Sequence, residues 1–219
     1  MAQRTDARRN MVQAANQLIR ERGYHATAFS DVLKLSGAPR GSVYFHFPGG
    51  KTQLAAEAAE AHAHEQIQLI DRVAQEATSA VDLVERYVDL GREGMAGSDY
   101  ARGCGIAPLV TEDAGRDSPD LRETSRRTFT EMIDRLTFHL VTFGLNRPDA
   151  HSLANAVIAG IEGAMVTSRA LHSTAPYDAL RTALSSHATR LSRGPKPTLP
   201  AIPRYDVDHI VVAGGAGVQ

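Results

Sequence analysis

Apolar residues recur at intervals of three and four along most of this chain, with polar residues between them. On a helix this spacing gathers the apolar side chains on one face and the polar ones on the other. Glycine after the last apolar position, and serine, threonine or proline before the first, indicate where each helix ends and begins. The pattern predicts helices over residues 5–22, 28–36, 39–45, 52–77, 82–95, 119–143, 149–171 and 176–193, and a further short helix within 102–115.

The segment 27–51 combines two short predicted helices with a sharp turn. In the first, Phe29, Val32 and Leu33 share one face. Gly37 then ends it, because a residue without Cβ enters the left-handed conformation at low cost. Pro39 has the fixed φ and missing N–H that suit a first helical position, so the second helix is predicted to start there. The arrangement predicts a helix-turn-helix.

The second of these helices is too short and too polar to be core. Arginine can bond a guanine edge or a phosphate, glycine lets a backbone approach closely, and hydroxyl or ring donors can reach phosphates and bases. The candidate DNA-binding residues on this surface and on the turn after it are Arg40, Gly41, Ser42, Tyr44, His46 and Lys51. Lys51 would act as a clamp on the DNA backbone at the start of the next helix.

Charge is distributed unevenly along the chain. Residues 1–51 carry eight basic and three acidic residues, 8 − 3 = +5, and the remainder carries 16 basic and 22 acidic residues, 16 − 22 = −6. A basic module on an acidic body is typical of a protein whose phosphate contacts are confined to that module. A chance fluctuation would give the same counts.

Composition limits the remaining function classes. The 219 residues include a single cysteine, Cys104, which excludes an internal disulfide and a cysteine-based zinc site. No apolar run approaches the roughly 20 residues that span a bilayer, and the basic N-terminus lacks the apolar stretch of a secretion signal. We therefore expect a cytoplasmic protein with no membrane association.

The run GAPRGSVYFHFPGGKTQL, at residues 37–54, resembles the recognition-helix signature of TetR-type transcriptional regulators. The resemblance extends over residues 5–193. It implies an all-α, homodimeric repressor that binds double-stranded operator DNA, and it makes Thr27 a further candidate phosphate contact; locally Thr27 could equally be an N-cap. Pro39 departs from the family pattern, which often has serine there, so one side-chain N-cap and phosphate contact is lost.

The resemblance implies a division into three parts. Residues 1–51 form the three-helix DNA-binding domain, here called the head, and residues 52–194 form the helical ligand-binding and dimerisation domain, here called the body. Residues 195–219 form a proline- and glycine-rich tail to which the sequence assigns no function. The FPGGK turn and the RGCGIAPLVTE segment resemble a subgroup whose members often respond to drug-like or aromatic molecules.

A small hydrophobic or aromatic effector is accordingly expected in the body. The candidate pocket walls are Phe129, Met132, Ile133, Ile161 and Met165, although such a stripe at helical spacing is more often plain core. No cofactor or metal is expected: RGCGIAPLVTEDAG lacks the Gly-Lys-Ser/Thr ending of a phosphate loop. His62 and His64, two residues apart on a helix, cannot chelate from one face and are predicted to be surface histidines.

The last two predicted helices, 149–171 and 176–193, are the expected dimer seam. Ala156, Gly160 and Ala164 fall four apart and leave one side of the first helix nearly flat. The alternative is that this stripe and the leucines of the last helix complete the monomer core. Glu162 interrupts the apolar surface; it is interpreted as a rim carboxylate paired with Arg169 or with a partner's arginine, or alternatively as a ligand contact.

Two other classes of function remain open at this stage. An enzyme could use Cys104 or a histidine, but no nucleophile, base and orienting acid occur in a recognisable arrangement, and Cys104 is interpreted as a buried packing residue. A helical adaptor could use the first domain to bind protein. A ligand-controlled DNA-binding repressor is the leading hypothesis, and it predicts that two heads enter successive major grooves about 34–36 Å apart.

Overall fold

The computed structural model describes residues 2–112, 114, 116 and 118–194, with side chains described from residue 6 onward, and all regular structure within these residues is helical. The predicted tail, 195–219, lies outside them. No helix among the described residues is long and apolar enough to cross a membrane. The helices are α1 (Ala2–Arg22), α2 (Phe29–Ser36), α3 (Ser42–His46), α4 (Gly50–Glu76), α5 (Ala80–Gly97), α6 (Ala107–Thr111), α7 (Pro119–Thr142), α8 (Arg147–Leu171) and α9 (Ala175–Ser192).

The head folds around the apolar faces that the sequence pattern predicted. Val32 on α2 and Val43 on α3 are almost fully buried, and Phe47, just after α3, is 0% exposed. Gly37 has φ +69 and ends α2 in the left-handed conformation, as predicted. Together these side chains and the apolar face of α1 make one small core, which fixes the angle between α2 and α3.

Two predicted helix starts in the head are wrong. Helix α1 begins at Ala2, ahead of the predicted start at residue 5. Helix α3 begins at Ser42 and not at Pro39, because the Ser42 amide donates to the Pro39 carbonyl at 2.9 Å and closes a turn before the helix. Pro39 and Arg40 therefore belong to this turn, and Gly41 is the residue that precedes the helix.

Helix α4 joins head and body. It starts at Gly50, whose φ of +70 favours glycine, and it packs against α1 at its beginning and against α7 further along. The expected domain boundary at residues 51 and 52 thus falls within the first turn of α4. A tilt of this one helix would move material on both sides of the boundary.

The body is a bundle of α4, α5, α7, α8 and α9, with α6 lying against α7. Three helices begin with side-chain caps: Ser79, Ser118 and Asn146 accept from the backbone N–H groups of Asp82, Leu121 and Asp149. Each cap satisfies an amide that the helix itself leaves unpaired. Ser118 and Pro119 occupy the N-cap and first positions, as the sequence predicted.

Two residues of the flat stripe on α8, Gly160 and Ala164, are covered within the subunit, while Ala156 is exposed. A Cβ on Gly160 would lie 2.5 Å from a Leu180 methyl carbon, so α9 closes directly onto this glycine. Ala164 is 5% exposed and Leu184 of α9 is 7% exposed. Gly160, Ala164 and Leu184 therefore help to complete the monomer core, which was the alternative that the sequence left open, whereas the dimer seam expected at these two helices stays a prediction.

Candidate nucleic-acid interface and internal cavity

The turn before α3 holds its backbone close to the surface. Ser42 Oγ donates to the Pro39 carbonyl at 2.6 Å, in addition to the amide bond described above. The hydroxyl oxygen keeps its lone pairs and can still accept a hydrogen bond. Gly41 is exposed, has φ −75, and nothing lies within 4 Å of the position that a Cβ would take. The space above this glycine is therefore open.

The outward face of α3 carries large, solvent-exposed side chains. Tyr44 is 75% exposed and Phe45 63% exposed, whereas a monomer core would normally enclose such residues. Arg40 is also exposed, and His46 is half-buried with its ring 5.1 Å from that of Phe45. The structure thus brings Arg40, Gly41, Ser42, Tyr44 and His46 to one end of the head.

Two residues of α2 that sequence reasoning did not single out share a shallow groove with Arg40 and Tyr44. These are Ser30 and Lys34, both exposed. Neither Lys34 nor Arg40 forms an ion pair with any described residue, so both cations face solvent. The signal was available, since the helical spacing that buries Val32 turns positions 30 and 34 outward.

Lys51 and Thr27 are placed differently from the others. Lys51 Nζ donates to the His25 carbonyl at 3.1 Å and lies 4.6 Å above the Tyr24 ring, and partial burial lowers the pKa of its ammonium, an effect opposed by Glu112. Two of its three N–H donors remain for a phosphate. Thr27 is 4% exposed and its hydroxyl donates to the Gly23 carbonyl at 2.7 Å, so it lies beneath the surface that the candidate interface offers. It makes no side-chain cap either, since α2 begins without one.

A cavity of about 200 Å³ lies in the body where α4, α5, α7, α8 and α9 meet the C-terminal end of α1. Among the residues that the sequence suggested as pocket walls, Met132, Ile161 and Met165 line this cavity, while their role in ligand binding stays a prediction. Phe129 instead lines a separate groove beside α6, and Ile133 lines neither space. The cavity wall therefore includes only some of the residues that the sequence suggested as pocket walls.

Polar side chains missed by sequence reasoning also line this cavity. His62 is 3% exposed, which corrects the prediction of a surface histidine, while His64 is exposed. Burial, and then the nearby Arg20, lower the pKa of His62 to about 3, so its ring is neutral at pH 7. Neither His62 Nδ1 nor the hydroxyl of the fully buried Tyr177 has a hydrogen-bond partner in the described structure.

A buried polar atom without a partner costs about 1–3 kcal/mol, and both of these residues, His62 and Tyr177, line the cavity. The histidine could have been found from sequence. Ala55, Ala58, Ala59 and His62 repeat at three and four residues, which puts His62 on the same buried face of α4 as the alanines.

Comparison with known proteins decides the family. Residues 12–58 match the family model described as bacterial regulatory proteins, tetR family, and residues 80–183 match that of the LmrA/YxaF-like transcriptional regulator C-terminal domain. The chain is 36% identical over 176 residues to the HTH-type transcriptional regulator Rv0196 of Mycobacterium tuberculosis, covering 78% of this chain and 88% of the relative. The chain belongs to the TetR family of bacterial transcriptional regulators.

Other relatives of this TetR-family chain agree. The HTH-type transcriptional regulator LmrA of Bacillus subtilis is 28% identical over 171 residues, covering 78% of this chain and 90% of that one. The crystal structure of a TetR regulator from Chloroflexus aurantiacus superposes with a TM-score of 0.67 at 29% identity, covering 87% of this chain and 98% of that one. The protein is a DNA-binding transcriptional regulator with a helix-turn-helix head, and its relatives are named as regulators and not as enzymes.

In this TetR-family body, Glu162 lies beside the cavity without a cationic partner. No lysine, arginine or histidine within the described ranges forms an ion pair with it, so the predicted pair with Arg169 is wrong. Arg169 instead donates to the backbone carbonyls of Tyr100, Ala101 and Arg20. Burial raises the pKa of the Glu162 carboxyl, and the thiol of Cys104, which donates to it, opposes that rise.

Cys104 is a packing residue, as predicted. It is 5% exposed, and its sulfur accepts from the amides of Ile106 and Ala107 at 3.3 and 3.4 Å. Burial raises the pKa of the thiol, which keeps it protonated and unreactive at neutral pH. Among the described residues, no group of three or more metal-ligating side chains is found.

The segment 101–112 links the cavity wall to the head. The Gly103 amide donates to the Arg20 carbonyl, and Arg20 Nε donates back to the Gly103 carbonyl, both at 2.9 Å. At the other end of the segment, a Glu112 carboxylate oxygen accepts from the His25 amide at 2.8 Å. Since Arg20 and Gly103 also line the cavity, the C-terminal end of α1 touches both the cavity and the helix-turn-helix.

Proposed function

We propose that the chain is a ligand-released repressor that binds an inverted-repeat operator as a homodimer. The observation that carries the proposal is the exposed surface made by Arg40, Gly41 and Tyr44 with Lys34, which combines unpaired cations, donor groups and an open backbone. Such a surface suits both phosphate and base contacts. The activity would then be regulation and not catalysis. A regulator that binds chromosomal DNA would act in the cytoplasm.

The head (1–51) would supply the DNA contacts and the body (52–194) the dimer seam. We assign the seam to α8 and α9, as the sequence suggested, but on their outward faces. Ala159, Gly163 and Ala170 are exposed on one side of α8, and Val166 beside them is 70% exposed. Small residues around one exposed valine allow close approach of a second α8, so two copies could form a four-helix seam around a two-fold axis.

Release by a ligand would act through the segment 101–112. A guest in the cavity would press on Arg20 and Gly103, which hold the end of α1 by two hydrogen bonds. Movement of α1 would change the spacing of the two heads, so a ligand that prefers this arrangement would lower the affinity for the operator. The coupling requires only that the ligand bind the two arrangements with different affinity.

Gly41→Ala tests the DNA contact without disturbing the free protein. The alanine Cβ meets nothing within 4 Å and φ is −75, so folding should be unchanged. If the DNA backbone approaches Gly41 closely, affinity in a salt-dependent gel shift on the DNA upstream of the protein's own or a neighbouring gene should fall at least tenfold. Gly97→Ala, at an exposed residue of α5 that also has no atom within 4 Å of the new Cβ, is the control outside both the candidate DNA-binding surface and the proposed seam.

Thermal melting of both variants would confirm that they fold. Unchanged DNA affinity of Gly41→Ala would contradict close approach of the duplex to the turn before α3. Absence of a gel shift with the wild-type protein on any such fragment would contradict the repressor assignment itself.

A further inference from the structure

The carboxylate of Glu162 lines the cavity in the body. Glu162 lies there together with two tyrosines: burial and then the nearby Glu162 carboxylate raise the pKa of Tyr177, and Glu162 also contributes to the raised pKa of Tyr87, after burial and Cys104. All three side chains line the cavity. As described above, Glu162 has no cationic partner within the described residues.

The two arginines that also line the cavity contact groups other than Glu162. Arg20 uses its Nε on the Gly103 carbonyl, and it acts on His62, not on Glu162. Arg102 Nε forms an ion pair with the Glu21 carboxylate, 3.4 Å from its Oε1. Neither arginine forms an ion pair with Glu162 within the described residues, so the carboxylate is left for a guest.

The polar atoms without partners can all accept hydrogen bonds. A neutral imidazole accepts through the nitrogen that carries no proton, and a tyrosine oxygen accepts as well as donates. Glu162, His62 and Tyr177 all line the cavity, and a guest rich in N–H donors that reached the unpaired atoms of His62 and Tyr177 would satisfy them. An anionic guest would leave them unpaired and meet the Glu162 charge.

We propose that this cavity binds a compact organic cation, whose ammonium group lies against the Glu162 carboxylate and the Tyr177 hydroxyl while its apolar part lies against Met132, Ile161 and Met165. Pairing removes the cost of a buried carboxylate and adds attraction between the cation and the tyrosine rings. The volume of about 200 Å³, equal to roughly seven waters, limits the guest to the size of one substituted ring. That this binding also releases DNA rests on the function proposed above.

Three probes of similar shape and different charge test the ligand class: 2-phenylethylammonium, 2-phenylethanol and 3-phenylpropionate. Their dissociation constants would be measured by calorimetry on the purified full chain at pH 7.5, in the absence of DNA. We expect the ammonium probe to bind at least tenfold more tightly than the alcohol, and the carboxylate probe to bind most weakly. Glu162→Gln should abolish the advantage of the ammonium probe and leave alcohol binding within about twofold.

Two further variants make the result specific to this carboxylate. Glu162→Asp keeps the charge and should retain a preference for the ammonium probe. Glu93→Gln, an exposed glutamate on α5, removes the same charge outside the cavity and should behave as the wild type. If Glu162→Gln melts too low to assay, the order of the three probes on the wild-type chain and on Glu162→Asp decides the question.

Equal binding of the ammonium and alcohol probes, tightest binding of the carboxylate probe, binding of none of the three, or a preference that survives in Glu162→Gln would each overturn the proposal. A gel shift on the same preparations shows whether the ligand class alone or the repressor assignment itself has failed. DNA binding that persists without ammonium selectivity would refute the ligand class alone, whereas loss of DNA binding would refute the proposed function.

Discussion

Acidification from pH 7 to pH 5 should destabilise the folded chain through His62. The ring is 3% exposed, and burial together with Arg20 lowers its pKa from an ordinary 6.5 to about 3. Between those two values the unfolded chain binds a proton at this histidine and the folded chain does not. The neutral His62 ring therefore makes its full contribution to stability above pH 6.5, and this contribution is lost as the pH falls toward the pKa of His62 in the folded state.

The size of the effect follows from the two pKa values. Protonation of His62 in the unfolded chain lowers the free energy of unfolding by about 0.2 kcal/mol at pH 7 and by about 2 kcal/mol at pH 5. The difference arises because each pH unit between the two pKa values changes this free energy by about 1.4 kcal/mol. The His62→Gln variant cannot take up this proton. It should lose about 2 kcal/mol less stability than the wild type over the same interval.

Urea unfolding at pH 7 and pH 5, at one protein concentration, measures the difference. Other groups with shifted pKa values, such as Asp71, contribute to both proteins and cancel in the comparison. His64→Gln removes an exposed histidine from the same helix and should follow the wild type. An equal loss of stability in wild type and His62→Gln would refute a buried neutral histidine beside the cavity.

Three further substitutions test other parts of the account. Phe47→Ala should lower the free energy of unfolding by about 3–5 kcal/mol, since this ring is 0% exposed in the head core. Phe45→Ala, at a ring that is 63% exposed, should change the free energy of unfolding by about 0.5 kcal/mol. Urea unfolding measures both variants, and effects of similar size would contradict the packing of α3. Tyr177→Phe removes a buried hydroxyl without a partner and should leave the melting temperature of the ligand-free protein unchanged or raise it, so a clear loss of stability would mean that the hydroxyl is bonded in solution.

Local rules predicted much of the head from the sequence. Gly37 ended α2 where the left-handed rule required it, and the spacing of Phe29, Val32 and Leu33 gave the correct buried side. The start of α3 was wrong because Pro39 fits the first position of a helix as well as it fits a turn. Only the bonds from Ser42 to the Pro39 carbonyl distinguish the two.

The cavity could not be predicted in the same way, because it joins side chains from helices far apart in sequence. Periodicity finds one face of one helix, and Met132, Ile161 and Met165 were found like this. The polar group of Tyr87, Glu162 and Tyr177 exists only once α5, α8 and α9 pack together. The expected Glu162–Arg169 pair shows the converse error. Arg169 lies on the same helix as Glu162, but it donates its hydrogen bonds to backbone carbonyls of other segments.

The most direct measurement of the central claim is sequencing of the genomic DNA fragments that the purified protein retains at near-physiological salt. The wild-type chain should enrich a small set of fragments that share an inverted repeat with half-sites about 34–36 Å apart. The Arg40→Ala, Tyr44→Ala double variant, folded and in the same oligomeric state, should enrich none of them. Retention of the same fragments by the double variant, or wild-type enrichment without a shared motif, would contradict recognition of DNA by the turn and outward face of α3.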